Sequence, residues 1–165
     1  MLLVQIAGLS LDSATEQPIL LLVPADGSLE EGAPRRALPI WIGHAEATAI
    51  LLAVQGVEPP RPMTHDLMKN AIEAAGFMVS RVEITRLEEG TFYAALILRG
   101  EERELAVDAR PSDSVALALR FGCPIYVAED VFAEAAVEVT EVDEEEEVER
   151  FRDFLDHVDP SDFMS

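Results

Sequence analysis

The sequence predicts an α+β fold, a single domain on a mixed or mainly antiparallel sheet with buried helices, followed by an acidic helical extension. Three observations carry this. Strand-like apolar runs come in groups rather than in strict alternation with helices, which separates α+β from α/β folds. Two helix-like segments are apolar almost all round, so each must be buried. The 165 residues are 49% apolar, and a chain of about 150 residues buries roughly 68–70% of its unfolded surface without disulfides or a structural metal.

The elements follow in order. Leu2–Leu9 and Pro18–Val23 are short apolar runs separated by Asp12-Ser-Ala-Thr, read as strands of a hairpin or meander. Pro24-Ala-Asp-Gly27 is turn chemistry, because Pro fixes φ and Gly permits φ > 0. A polar loop over 28–37 carries Arg35 and Arg36. Leu38–Ile42 predicts a strand ending at Gly43, then a buried helix over 44–55 with Glu46 in its first turn. Gly56-Val-Glu-Pro-Pro-Arg-Pro62 is a stiff connector. Thr64 is placed to cap the next helix, whose buried face is expected from Leu67, Met68, Ala71, Ile72 and Ala75, with Gly76 as its stop. Strands follow at Met78–Arg86, Thr91–Leu98 and Arg103–Ala109, with turns at Glu88-Glu-Gly90 and Gly100-Glu-Glu102. Pro111 opens a second apolar helix over 112–121. Pro124–Val127 is a buried strand and Glu129–Ala135 a short helix. Cys123 stands alone between apolar stretches and reads as a small core residue, with no partner for a disulfide or a Cys-based zinc site.

Charge divides the chain. Lys and Arg number 12 against 32 Asp and Glu, a net of −20. Residues 1–137 and 138–165 each carry a net −10, so the last sixth holds half of the excess. The division 1–137 for the folded domain and 138–165 for an acidic tail follows. Within the tail, Val148, Phe151, Phe154, Leu155 and Val158 recur at helical spacing and predict an amphipathic helix over 145–158. Its apolar stripe needs the body or a protein partner to dock on. A chain-wide basic surface, which would bind nucleic acid by counterion release, is excluded. No apolar run reaches the roughly 18 residues of a membrane span, and the start lacks a cationic signal-peptide region. The expected compartment is the cytoplasm, with no membrane association.

Chemistry concentrates in two segments. In Asp108-Ala-Arg-Pro-Ser-Asp113 a strand delivers Asp108, the chain turns at Arg110, and a helix opens whose unpaired N–H groups attract anions. Arg110 offers a planar fork suited to phosphate or carboxylate. Asp108 and Asp113 are hard oxygen ligands for a divalent metal. The same residues also suit plain structure, with Ser112 as N-cap, Asp113 complementing the helix dipole, and Arg110 paired to Asp108. In Thr64-His-Asp66, an imidazole beside a carboxylate serves as general base or metal ligand, while capping by Thr64 and Asp66 is the structural alternative. His44-Ala-Glu46 is a shorter pattern of the same kind. No Gly-rich phosphate loop, nucleophile elbow or metalloprotease signature is present.

The order of these segments resembles the bifunctional nuclease family. The resemblance rests on Leu38-Pro-Ile-Trp-Ile-Gly43 with Glu46-Ala, on Gly56-Val-Glu-Pro-Pro-Arg-Pro-Met-Thr-His-Asp-Leu67, and on Gly90-Thr-Phe-Tyr-Ala94. It continues in Asp108-Ala-Arg-Pro-Ser-Asp-Ser-Val-Ala-Leu-Ala118 and Pro124-Ile-Tyr-Val127. It covers roughly residues 1–135 and implies hydrolysis of DNA and RNA, hence nucleic acid as partner, on an α+β fold. The positions that match are Glu46, His65, Asp66, Asp108, Arg110, Ser112 and Asp113. Under a metal-assisted mechanism, Glu46, Asp108 and Asp113 hold Mg²⁺ or Mn²⁺, His65 oriented by Asp66 takes the water proton, and Arg110 with Ser112 binds the phosphate, Asp113 joining the catalytic set. No organic cofactor is expected, and a homo-oligomer is an open expectation. The competing reading is a non-catalytic regulatory module that binds a small anion at Arg110 and a protein partner through the 145–158 helix. Convergence of Arg110, His65 and Asp113 in an open pocket favours the first; buried mutual pairing favours the second.

The concentration of charge beyond residue 137 makes the tail separable from the fold. Truncation after Ala136 is expected to leave a cooperative thermal transition by circular dichroism. Its loss would place Phe151, Phe154 and Leu155 in the core instead.

Overall fold

Period-two alternation makes β1 (Leu2–Leu11), β2 (Pro18–Pro24) and β3 (Arg36–Trp41) an antiparallel meander. Leu20 lies opposite Leu9 on one side and Ile40 on the other, and all three are buried. A second antiparallel meander is formed by β4 (Met78–Glu88), β5 (Thr91–Arg99) and β6 (Glu104–Ala109), with Val82, Leu96 and Val107 in one cross-strand row. The short β7 (Ile125–Val127) joins the two, antiparallel to β1 and parallel to β4. With β8 (Val137–Glu138) beside β3, the eight strands run β6-β5-β4-β7-β1-β2-β3-β8. The mixed sheet expected from the sequence is the one present. These statements concern the computed structural model, which describes residues 1–25 and 34–139. The end of the Pro24–Gly27 turn, most of the 28–37 loop and the 145–158 helix lie outside the described residues.

Helices α1 (His44–Val54), α2 (Thr64–Ala74), α3 (Pro111–Phe121) and α4 (Glu129–Ala135) complete the domain. The central one is α3. It packs on β4 and β5 with one side and on α1 and α2 with the other. Its small residues Ser112, Ser114, Ala116 and Ala118 are all buried, which lets backbones approach closely on two sides. Arg110 directly follows the preceding strand and occupies the N-cap position of this helix, and Pro111 opens its first turn, where the missing N–H costs nothing. No described helix is long and apolar enough to cross a membrane.

Two helices differ from expectation. Only Ala47 and Ile50 of α1 are buried, and Val54 is 57% exposed. No residue of α2 is buried, and Leu67 and Met68 are 60% and 48% exposed. The reason is electrostatic. Helix α2 turns His65, Asp66 and Lys69 towards α3, where Asp113, Arg120 and the ring of Phe121 receive them. At 3.6 residues per turn, Leu67, Met68 and Ala71 then face outward. Nor does Thr64 cap this helix. Met63 is the capping residue, and its N–H donates to Asp66 Oδ2 at 3.0 Å.

Gly122 ends α3 at φ +65°, and the following Cys123 N–H donates to Ala118 O at 3.1 Å. Cys123 packs against the core, and burial pushes its thiol up to about 11, so it is an unreactive group as the sequence implied. A Cβ on Gly122 would meet open space, which isolates the cost of the left-handed backbone. Gly122→Ala is therefore expected to lose about 1–2 kcal/mol in urea unfolding. An unchanged midpoint would show that the turn relaxes freely.

Candidate functional site

Glu46, Asp66 and Asp113 occupy the same position, the third residue, of α1, α2 and α3. Carboxylates there are favoured by the unpaired N–H groups of a first turn. The folded chain connects two of these turns through Arg110, whose Nη2 donates to Glu46 Oε1 at 2.8 Å and whose Nε donates to Asp113 Oδ2 at 2.8 Å. From α2, His65 Nε2 lies 2.8 Å from the other oxygen of Asp113. Glu46, Arg110, Asp113 and His65 thus form one linked chain across three helices. Glu46 reaches Arg110 by folding back over Gly43, where any Cβ would overlap its carboxylate.

The chain is sheltered except at one group. Side-chain exposure is 12% for His65, 16% for Glu46 and 30% for Asp113, but 65% for Arg110. Burial alone would raise the Asp113 carboxyl; hydrogen bonds from Arg110 and His65 overcome it and hold the group below the ordinary carboxylate range. Arg110 is pushed up in turn, mainly by Asp113 and then by Glu46. His65 Nδ1 has no hydrogen-bond partner among the described residues and is not sealed from solvent.

Asp66 does not orient His65. Adjacent residues on a helix do not face each other, and Asp66 Oδ1 instead accepts from Arg120 Nε at 2.8 Å. Arg120 Nη1 also donates to Ala49 O and Ala116 O, so one largely buried guanidinium ties α1, α2 and α3 together. Sequence reasoning missed Arg120. The available signal was a lone cation in an apolar helix, since buried charges are almost always paired.

Asp108 stands apart. It lies in register with Ala95 and Glu83, whereas α3 covers the face of Val82 and Leu96. Its side chain is therefore across the sheet from Arg110, and the Asp108–Arg110 pair does not form. Ser112 is buried inside α3 and does not cap it, because Arg110 already occupies that position. The carboxylates considered for Mg²⁺ or Mn²⁺ are thus not assembled: Arg110 holds Glu46 and Asp113, and Asp108 is elsewhere. Among the described residues no group of three or more His, Cys, Asp or Glu is arranged to hold a metal ion.

Burial alone would also raise Asp66; hydrogen bonds from Arg120 and the Met63 N–H lower it. Both aspartates therefore favour the folded state when ionised. Their contribution is complete above the unfolded value of about 3.9 and is lost as pH falls through the lower folded value. Asp66→Asn and Asp113→Asn are expected to destabilise at pH 7 and to flatten the acid limb of urea-unfolding stability between about pH 5 and 3. An acid limb as steep as that of the parent chain would show that neither pair contributes. Gly43→Ala is expected to separate Glu46 from Arg110 and to lower the melting temperature, because a sheltered carboxylate loses its partner; an unchanged melting temperature would show that the pair contributes nothing.

Comparison with known proteins matches the bifunctional nuclease domain to residues 28–140, which contain every residue of this site. An uncharacterized protein of Mycobacterium tuberculosis is 50% identical over 138 residues, covering 84% of this chain and 78% of its own. Bifunctional nuclease 1 of Oryza sativa subsp. japonica is 28% identical over 133 residues, covering 79% of this chain but 38% of its own. Bifunctional nuclease 1 of Arabidopsis thaliana is 28% identical over 119 residues, covering 63% of this chain and 37% of its own. With the domain matched from β3 through α4 and over all three helix first turns, the chain belongs to the bifunctional nuclease domain family.

Proposed function

We propose that this chain hydrolyses phosphodiester bonds of nucleic acid at Arg110 and His65. The observation that carries the proposal is the sharing of Asp113, whose two oxygens bind the arginine and the imidazole at 2.8 Å each. Arg110 uses Nε and Nη2 in its ion pairs, which leaves Nη1 on the most exposed side chain of the cluster to bind a phosphate oxygen. With Nε2–H donated to Asp113, the His65 ring is fixed and Nδ1 carries a lone pair. That atom takes the proton of an attacking water and returns it to the leaving oxygen. Glu46 and Asp113 together aim the guanidinium. The net charge of −20 opposes substrate only at short range, since salt screens it beyond about 8 Å. The steps proposed here use side chains, with Glu46 and Asp113 engaged by Arg110; whether Mg²⁺ or Mn²⁺ assists is decided by the EDTA comparison below.

The pairing of Arg110 with two carboxylates also supports a non-catalytic reading, an anion-binding module acting through a protein partner. Cleavage of single-stranded DNA and RNA by identically purified proteins, with and without EDTA, separates the two. His65→Ala and Arg110→Ala are expected to lower cleavage about 10²–10⁴-fold while unfolding stays cooperative. Parent-level cleavage by both variants would remove the site. No cleavage by the parent, with inorganic phosphate binding that Arg110→Ala abolishes, would establish the module. Loss of activity in EDTA would return Mg²⁺ or Mn²⁺ to the mechanism.

A further inference from the structure

The two edges of the sheet are finished differently. At one, β3 carries Pro39 and receives the two-residue β8. At the other, β6 has no partner on its outer side among the described residues. Its six residues pair with β5 without a bulge, and they include no Pro, Lys or Arg. All but Ala109 are exposed, Leu105 and Val107 at 38% and 41%. Natural sheets blunt exposed edges with lysine, proline or bulges, because a flat regular edge recruits another strand.

The hairpin before β6 fixes which backbone groups are free. Gly100 N–H donates to Arg103 O at 2.9 Å, so these two residues form a hydrogen-bonded pair. Antiparallel ladders alternate such pairs with non-bonded ones. Leu105, Val107 and Ala109 therefore bond inward to β5, and the N–H and C=O groups of Glu104, Ala106 and Asp108 point out of the edge. An antiparallel strand of the same sequence matches this phase only in registers centred on a residue. Centring on Ala106 sets Glu104 directly opposite Asp108 of the second copy, and like charges there are destabilising. Centring on Val107 sets Ala106 opposite Asp108, Val107 opposite itself and Leu105 opposite Ala109. One face of the seam is then wholly apolar, and no like charges stand directly opposite.

We infer that β6 is the seam of a homodimer, two copies pairing antiparallel about Val107 so that one sheet runs through both. A net charge of −20 opposes self-association, but its placement spares this edge. Half of the excess lies beyond residue 137, and the chain leaves for that segment from β8, at the opposite edge. Seven strand spacings along the sheet, roughly 33 Å, separate that exit from the seam, several times the screening length of about 8 Å. At the seam itself, Glu104 is paired with Arg81 and Arg99. The ladder ends with Glu104 opposite Arg110 of the second copy. Dimerisation thus sets the two candidate sites at the two ends of the seam, about 20 Å apart along the strands.

Sedimentation velocity of the full chain is expected to show a dimer that dissociates on dilution. Ala106→Pro removes an outward N–H while sparing the bonds to β5, and Val107→Lys sets two ammonium groups against each other at the dyad. Both are expected to sediment as monomers and to unfold cooperatively; if one fails to fold, the other decides. Cysteine substitution reads the register, with the parent as control for Cys123. Val107→Cys is expected to give a disulfide-linked dimer on mild oxidation, because opposed residues of a non-bonded pair lie about 4.5 Å apart. Ala106→Cys is not, since its two copies stand on a diagonal of about 7–8 Å. A parent that is monomeric at every concentration overturns the inference and leaves the edge to a strand from another protein. A dimer that survives both Ala106→Pro and Val107→Lys overturns it as well, and cross-linking through Ala106→Cys alone overturns the register.

Discussion

One half-buried carboxylate holds the functional end of this molecule together. Asp113 offers an oxygen to Arg110 and an oxygen to His65, so the N-cap of α3 and a helix from the middle of the chain meet on a single residue of α3. A carboxylate in that position is costly unless it is hydrogen-bonded, and here the two donors supply the compensation. Because Arg110 continues to Glu46, α1 is drawn into the same arrangement. Removing either donor leaves charge behind in a sheltered place, and that is why the geometry of three helices depends on it.

The reliance on α3 follows from its side chains. Serine and alanine along both faces allow the sheet on one side and two helices on the other to come close. A helix with larger residues would keep α1 and α2 too far away for Arg110 and Arg120 to reach their partners. The two arginines then work at opposite ends of α3, one outside at its start and one sheltered in its last turn. Packing therefore sets the distances, and ionic contacts select the orientation.

Most of the sheet and all four helices were legible in the sequence, because period-two runs, turn residues and apolar helices are local signals. Gathering His65 with Arg110 and Asp113 rested on the resemblance to a family and on two helix starts. Local signals failed where a partner from elsewhere decided the outcome. In α2 the apolar stripe of Leu67 and Met68 looked like a buried face, yet ionic partners on α3 turned the charged side inward. Asp66 looked like a companion of His65 because it is adjacent in sequence, although helical geometry points the two apart. Asp108 looked like a companion of Arg110, but alternation along β6 sends it to the other face of the sheet.

The seam at β7 carries a consequence for how the chain acquires this shape. Each meander pairs strands that are neighbours in sequence, so each closes short loops. By contrast, β7 unites the two halves with three residues, setting Leu2 opposite Val127 near the two ends of the described chain. Closing so long a loop is entropically costly relative to what three residue pairs return. The docking of α3, which leads directly into β7, supplies the missing contacts. The same helix that positions the site is thus the piece that makes two half-sheets into one cooperative unit.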